Sequence, residues 1–383
     1  MKKVLHIITS LNGGGAEKIL FDFIAVTHEK GIHHTVVSLS GHGFYSEKLS
    51  ALGVKIFAIK INTLKGIFKL IKLLYLSYRS KPDIIHTWLY HSNFISILFY
   101  IIGFRNIVWS IHSTQVYGEG ISAFTSIINK LCAWFSFVPQ YILYCASSSK
   151  IEHEKFGYNK SRSMVIYNGY NTALFKSDYG LKTALRNNLA ITSHNIVIGH
   201  VARFHPVKDH YTFIKSLSLL DELLRARLTI VMIGDSVDVN NKSLKSWLSE
   251  AQILDQTILL GMQENISQFY TMMDLLVLSS ISEAFPNVVA EAMASEVSCV
   301  VTDVGDAKLI VGDYGYVVPI GDANALANAI TKVINLSSNE RLLLGREARS
   351  HIEQNFALER MVNSYLDTYE SVTTNYKCLG GTV

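Results

Sequence analysis

The sequence predicts an α/β protein built from two doubly wound, Rossmann-like domains. Short apolar runs alternate with amphipathic stretches from the first residues onward, the signature of a parallel sheet covered on both faces. The alternation pauses near residues 168–177 and then begins again. A length of 383 residues is also more than one core of ordinary size holds.

Strands are expected in the first half at 4–8, 35–39, 54–59, 84–87, 107–111, 141–145 and 164–167, with helices between them such as 16–30 and 64–78. The second half repeats the pattern at 196–201, 228–233, 258–260, 275–278, 299–302 and 316–318. These runs give domains at 1–178 and 179–355, with a cleft between them. Ligands of such sheets bind beyond the carboxyl ends of the strands.

Composition narrows the class. Hydrophobic residues make up 49% of the chain, enough for a large core and too many for global disorder. Cys132, Cys145, Cys299 and Cys378 lack C-x-x-C spacing, so free thiols in a reducing cytoplasm are expected. Near the N-terminus the apolar run covers only residues 4–8, shorter than the ~7–15 residues of a signal sequence, and reads as a strand. Residues 1–180 hold 19 Lys and Arg against 9 Asp and Glu, a balance of +10, whereas residues 181–383 hold 16 and 22, a balance of −6. A basic half of this kind faces something anionic.

The most informative segment is LSSISEAFPNVVAEAMA at 278–294. It reads as the end of a buried strand, a polar loop carrying Glu283, and a helix opened by Pro286 with Glu291 inside it. Proline suits a first helical turn, and the free amides and partial positive charge of that end suit a phosphate. Glu283 and Glu291 stand eight residues apart, one before the helix and one a turn and a half into it. Glu291 lies among Val288, Val289, Ala290, Ala292, Met293 and Ala294, where an unpaired carboxylate is costly unless it meets a ligand. Arg203 and Lys208 follow the strand at 196–201, and two cations there suit a diphosphate leaving group. The glycines at 13–15 follow the first strand. A dinucleotide reading fails, because Lys18 stands where the third glycine would and no acid closes the second strand.

The segment at 278–294 resembles the E-x7-E signature of the retaining GT-B glycosyltransferases of family 4. Further blocks follow that family's order: GGGAEK at 13–18, SIHS at 110–113, YNGYN at 167–171, HVARFHPVKD at 200–209, IGD at 233–235, LLGMQEN at 259–265 and TDVGDAKLIVGDYGYVVPIGD at 302–322. The resemblance implies a GT-B fold in which a C-terminal helix, 356–376, crosses back to complete the first, acceptor-binding domain. The second domain would bind the nucleotide sugar. It implies catalytic roles for His112, Glu283, Arg203 and Lys208. Donor contacts are implied for Gly14, Gly15, Arg203, Lys208, Glu283, Ala284, Phe285, Asn287 and Glu291, with Glu291 on the ribose hydroxyls. His91 is a candidate for the acceptor. Ala284 departs from the family, which usually has glycine there, and its methyl group would alter the sugar pocket. No D-x-D motif occurs, since Asp235 and Asp238 have the wrong spacing, so no metal or other cofactor is expected.

Residues 64–81, LKGIFKLIKLLYLSYRSK, place Lys65, Lys69, Lys72 and Arg79 at offsets of 4, 3 and 7. An interfacial helix drawn to anionic lipid and a core helix both fit this pattern, and the +10 balance favours the former. Residues 94–104 are too few to cross a bilayer. No nucleic-acid module appears.

The expected activity is transfer of a sugar from a nucleotide donor, with UDP as the expected nucleotide, to a lipid-linked saccharide of a bacterial surface polysaccharide. The enzyme would work from the cytoplasm, peripherally attached to the inner face of the plasma membrane. A GT-B nucleotide-sugar epimerase and a non-catalytic nucleotide-sugar or glycan-binding protein are the rival readings.

Overall fold

In the computed structural model, which describes residues 2–61, 63–118 and 121–378, the chain divides into two compact units. Unit 1 is Met1–Gly169 together with Leu358–Val383, and unit 2 is Tyr170–Ala357.

Unit 1 runs β1 (Lys3–Ile8), α1 (Gly15–Glu29), β2 (His33–Ser38), α2 (Phe44–Ala51), β3 (Lys55–Ala58), α3 (Leu64–Ser80), β4 (Ile84–Trp88), α4 (Tyr90–Ile101), β5 (Ile107–Ile111), α5 (Ala123–Trp134), β6 (Tyr141–Tyr144), α6 (Ser147–Phe156) and β7 (Ser163–Val165). Its seven strands are parallel, in the order β3-β2-β1-β4-β5-β6-β7. Unit 2 opens with α7 (Tyr179–Asn188), β8 (Ile196–Val201), α8 (His210–Ser218), α9 (Glu222–Arg225), β9 (Leu228–Ile233), α10 (Lys242–Glu250) and β10 (Thr257–Leu259). It continues through α11 (Ile266–Met272), β11 (Leu275–Leu278), α12 (Asn287–Ala294), β12 (Ser298–Thr302), α13 (Ala307–Val311), β13 (Gly315–Val318), α14 (Ala323–Asn335) and α15 (Ser338–Asn355). Its sheet is also parallel, ordered β10-β9-β8-β11-β12-β13. In each sheet the strand order reverses beside the unit's first strand, at β1/β4 and at β8/β11. A crevice opens at the carboxyl ends of such a pair.

The switch of units falls at residues 169/170 rather than at 178, for a visible reason. Residues 170–176 are tied into unit 2: the Tyr170 hydroxyl donates to Asn287 Oδ1 at 2.6 Å, and Arg349 donates to the carbonyls of Thr172 and Phe175 at 2.9 and 2.8 Å. The last helix, α16 (Leu358–Cys378), returns to unit 1 and buries Met361, Val362, Tyr365, Tyr369 and Val372 in the core beneath α1 and α2. Helices α3, α4 and α5 cover the opposite face of that sheet.

Asp274 holds α7 to the start of β11. It pairs with Lys182 at 2.9 Å and Arg186 at 2.7 Å and accepts from Val197 N at 2.8 Å. Burial raises its pKa, but the two cations and the amide outweigh that and hold the group below its ordinary value.

Unit 1 also contains a row of buried histidines. His6 and His86 face each other in register on β1 and β4, and His34 follows on β2. The Trp88 indole donates to His6 Nδ1 at 3.3 Å, which leaves the His6 proton on Nε2, 3.0 Å from His34 Nδ1. The His34 proton is therefore on Nε2, 3.0 Å from the Thr27 hydroxyl, and that hydroxyl donates to Phe23 O at 2.6 Å. Every ring in this chain is neutral, and a second proton would set one donor against another. Burial, then neighbouring histidines, holds His34 down to about 3 and His6 well below its ordinary 6.5; burial and His112 do the same to His86. Since the folded values are depressed, the unfolded chain binds protons first as pH falls, and stability drains below pH 6.5. The unfolding free energy in urea should drop by at least about 3 kcal/mol between pH 6.5 and 4.5. A flat profile over that window would disprove the neutral chain.

Candidate functional site

At the switch point of unit 2, two loops are joined by backbone and side chain. The first leaves β8 and carries Arg203 and the turn Pro206–Lys208 before α8. The second leaves β11 through Ser279, Ser280 and Glu283 to α12. The buried Ser279 hydroxyl donates to the carbonyls of Lys208 (2.9 Å) and Asp209 (3.0 Å), and Ile281 N donates to Val207 O at 2.9 Å. With its hydrogen so used, Ser279 accepts from His200 Nε2 at 3.1 Å, fixing that ring as the Nε2–H tautomer. Burial, then His210 and Lys208, keeps His200 well below 6.5 and neutral.

This clasp brings the predicted residues together. Lys208 Nζ forms an ion pair with Glu283 Oε1, and the Ser280 hydroxyl donates to the same oxygen at 2.8 Å. Arg203 is exposed and has no ion-pair partner among the described residues. The glutamate loop is gripped from beyond as well: Thr302 Oγ1 donates to Ser280 O at 2.7 Å and Asp306 N to Ala284 O at 2.9 Å. Gly305, at φ +54°, permits this approach, because a Cβ there would lie 2.5 Å from the Glu283 and Ala284 carbonyl oxygens.

Pro286 occupies the cap position of α12 rather than its first turn, and no side chain caps this end. The positive end of this helix dipole follows directly on the loop that holds Glu283. Glu291 is 4% exposed and receives the Tyr270 hydroxyl at 2.9 Å. The sequence argument that its carboxylate must meet a ligand is thus corrected, since a partner exists inside the fold. Phe285 and Asn287 are turned inward too. The Phe285 ring lies between Tyr170 (6.5 Å) and Phe356 (5.5 Å), and Asn287 takes the Tyr170 hydroxyl.

In unit 1 the strand ends at the β1/β4 switch carry the other candidates. His112, directly after β5, stacks on Trp88 at 5.3 Å and 18°. Both its ring nitrogens are buried without a partner among the described residues, and burial holds it at about 4. Orphaned buried polar atoms are rare, and they point to a ligand. His91 stands in the first turn of α4, half-buried against Phe124 at 6.0 Å, with its pKa lowered by burial. Between β4 and α4, Leu89 adopts φ 71° and ψ 161°, a strained conformation for a branched residue, held by its amide bond to Ser110 O at 3.0 Å. Gly14 and Gly15 open α1 as expected, but the buried carboxylate of Glu17 fills the space beside Gly14, where a Cβ would lie 2.3 Å from it. Among the described residues no group of three or more His, Cys, Asp or Glu is placed to hold a metal ion.

The chain matches the family "Glycosyltransferase Family 4" over residues 13–174 and "Glycosyl transferases group 1" over residues 182–351. The chain belongs to the family 4 glycosyltransferases.

Individual relatives agree. The UDP-Gal:alpha-D-GlcNAc-diphosphoundecaprenol alpha-1,3-galactosyltransferase of Escherichia coli is 21% identical over 97% of this chain and 98% of that protein. The putative glycosyltransferase EpsF of Bacillus subtilis is 24% identical over 79% of each. The N-acetyl-alpha-D-glucosaminyl L-malate synthase of Bacillus anthracis is 28% identical, over 59% of this chain and 58% of its own length. Among solved structures, Anabaena Alr3699/HepE in complex with UDP and glucose superposes with a TM-score of 0.85 at 21% identity, over 97% of this chain and 100% of that one. The shared fold is GT-B.

Several residues of this glycosyltransferase site escape a reading by motif. Ser279, Ser280, Tyr270 and Trp88 act through hydrogen bonds and stacking rather than through charge. Only the serines carried a signal, as two hydroxyls at the end of a strand otherwise apolar. Tyr270→Phe should lower the unfolding free energy by about 1.5–3 kcal/mol, because it removes a donor from a buried carboxylate. An unchanged urea midpoint would show that the bond contributes nothing.

Proposed function

We propose that this glycosyltransferase moves a sugar, with retention, from a UDP-sugar to a lipid-linked saccharide of a bacterial surface polysaccharide. One observation carries the reading: the Lys208–Glu283 pair joins the loop after β8, which also carries Arg203, to the loop after β11 that leads into α12. That is a seat for a diphosphate beside a carboxylate able to hold sugar hydroxyls. Glu291 lies a turn further along the same helix, as a ribose contact requires. The diphosphate is assigned in this reading to these cations.

In the proposed step the bond from the anomeric carbon to the donor phosphate oxygen breaks, and its electron pair stays on the diphosphate. Arg203, Lys208 and the α12 amides neutralise the developing charge. The acceptor hydroxyl bonds to the anomeric carbon on the face the phosphate leaves, and its proton passes to the departing phosphate oxygen. Fixed cations replace a divalent ion in this scheme, so transfer needs no metal. His112, neutral and with both nitrogens unpaired, is suited to orient the sugar at the reacting centre. His91 is assigned to the acceptor.

The lipid-linked acceptor draws support from two sources. The E. coli relative is named for a diphosphoundecaprenol substrate. In unit 1, α3, α4 and α5 contain no acidic residue, and the two acids of α6 on the same face, Glu152 and Glu154, are paired with Lys155 and Lys150, whereas the opposite layer carries Glu17, Asp22, Glu29, Glu47, Glu359, Asp367 and Glu370. Helices α3, α4 and α5 expose Phe68, Ile101 and Trp134 at 71%, 70% and 81%. No helix among the described residues is long and apolar enough to cross a membrane. Peripheral attachment to the inner face of an anionic membrane fits these features.

Arg203→Ala and Lys208→Ala should each depress turnover by about 10²–10³-fold, assayed with UDP-sugars and membrane extract. Near-normal rates in both variants would remove the diphosphate seat. The same assay separates the rival readings, since an epimerase would convert the sugar without extract and a binding protein would turn over nothing. Loss of transfer in a chelator would overturn the metal-free scheme.

A further inference from the structure

Unit 1 contains a groove of about 940 Å³ far from the strand ends that hold His91 and His112. It runs between α3 and the strands β1, β2 and β3, and its origin is visible in the packing. Gly66 pins the start of α3 to the chain before it, since a Cβ there would lie 2.1 Å from Lys60 O. Leu70, Leu73 and Leu74 then settle on the core. The edge strand β3 is not covered by this contact: none of its residues is fully buried, and Phe57 is 45% exposed.

The chemistry of the lining is one-sided. Five permanent cations (Lys3, Lys55, Lys69, Lys72 and Arg79) and four histidines contribute, and no carboxylate does. Lys55, Lys72 and Arg79 take part in no ion pair among the described residues. The walls between them are apolar, with Phe57, Leu73 and Leu76 prominent. Cations that attract one another's counter-ions, set around an apolar trough, match a molecule with an anionic head and a hydrocarbon tail. The outer face of α3 continues the match, exposing Phe68, Ile71 and Tyr75 beside Lys65 and Lys69, so the groove opens beside a surface suited to a bilayer.

We propose that this groove seats one anionic phospholipid of the membrane, its phosphate met by Lys55, Lys72 and Arg79 and its acyl chain laid against Phe57, Leu73 and Leu76. The site is separate from the transfer chemistry. It rests on unit 1 alone, so lipid binding by a chain that transfers no sugar would leave the inference standing.

Calorimetry on the full chain tests it with dihexanoylphosphatidylglycerol below its micelle concentration, with dihexanoylphosphatidylcholine and with inorganic phosphate. Saturable binding of the phosphatidylglycerol is expected, at least about 10-fold tighter than either of the others. The triple variant Lys55→Glu/Lys72→Glu/Arg79→Glu should lose that binding. It should also leave vesicles of phosphatidylcholine doped with phosphatidylglycerol at least about 100-fold more readily at low salt. Phe57→Ser/Leu76→Ser changes two exposed wall residues that the fold tolerates, a point checked by circular dichroism, and should weaken binding at least about 10-fold. Phosphate binding as tightly as the lipid would mean an anion site without a lipid. Equal binding of phosphatidylcholine would mean an apolar trough without headgroup recognition. Either result, or wild-type affinity in both variants, overturns the proposal.

Discussion

The Ser279 hydroxyl is the joint on which the loops at the switch point of unit 2 depend. A parallel sheet delivers its strand ends side by side, but it does not by itself hold the loops that leave them. Here the loop after β8 must bring forward two cations, and the loop after β11 must bring forward a carboxylate. Ser279 spends its one hydrogen on the carbonyls of Lys208 and Asp209 and its lone pair on His200, so both loops and the strand between them share one buried hydroxyl. A larger or apolar residue would take a donor from the Lys208 carbonyl and leave an imidazole N–H unpaired in a buried place, a heavy cost. Lys208 and Glu283 can meet because this joint has already set their backbones.

The same economy explains the glycines in the family-like blocks. Gly305 lets the loop after β12 press on the Glu283–Ala284 carbonyls, and Gly234 lets the end of β9 approach Ala202 O, where a Cβ would stand only 2.0 Å away. Both glycines serve backbone-to-backbone approach around the cations and the carboxylate. Neither position tolerates a side chain, and both have positive φ. Ala284 places its methyl inside this clamp rather than at a free surface. Ala284 is 8% exposed.

Much of the fold was legible because its signals are local. Each of the thirteen strands was a short apolar run, and runs such as Ile107–Ile111, Ile196–Val201 and Leu228–Ile233 begin and end where composition changes. The Lys208–Glu283 pair joins two residues that each stand after a strand, a position legible in the sequence. What could not be read were facts that join distant positions. Tyr270 reaches Glu291 across 21 residues, Tyr369 reaches His86 across 283, and neither carries a pattern. The inward turn of Phe285 and Asn287 was hidden for the same reason: Tyr170, their common partner, lies more than a hundred residues earlier. The unit boundary shifted because residues 170–176 look like a linker in composition but are held by Arg349 from the far end of unit 2.

Charge in unit 1 is distributed unevenly between its helices. The net balance of +10 over residues 1–180 could have been spread evenly over the surface, giving only solubility and a weak long-range field. Instead seven acids lie on the α1, α2 and α16 side, and on the other side α3, α4 and α5 hold cations with exposed aromatic and aliphatic residues and no acid, the two acids of α6 there being paired with lysines. Solvent alone does not favour that arrangement, because exposed Phe68, Ile101 and Trp134 gain nothing from water. Nor does the core require it, since α3, α4 and α5 already bury Leu73, Ile95, Phe99, Ile128 and Cys132 on their inner faces. A second apolar face on helices whose first is satisfied, set among lysines and an arginine, fits the proposed contact with an anionic, hydrocarbon-backed surface. In that proposal the seven acids across the sheet would be repelled by the surface, which orients the unit as well as attracting it.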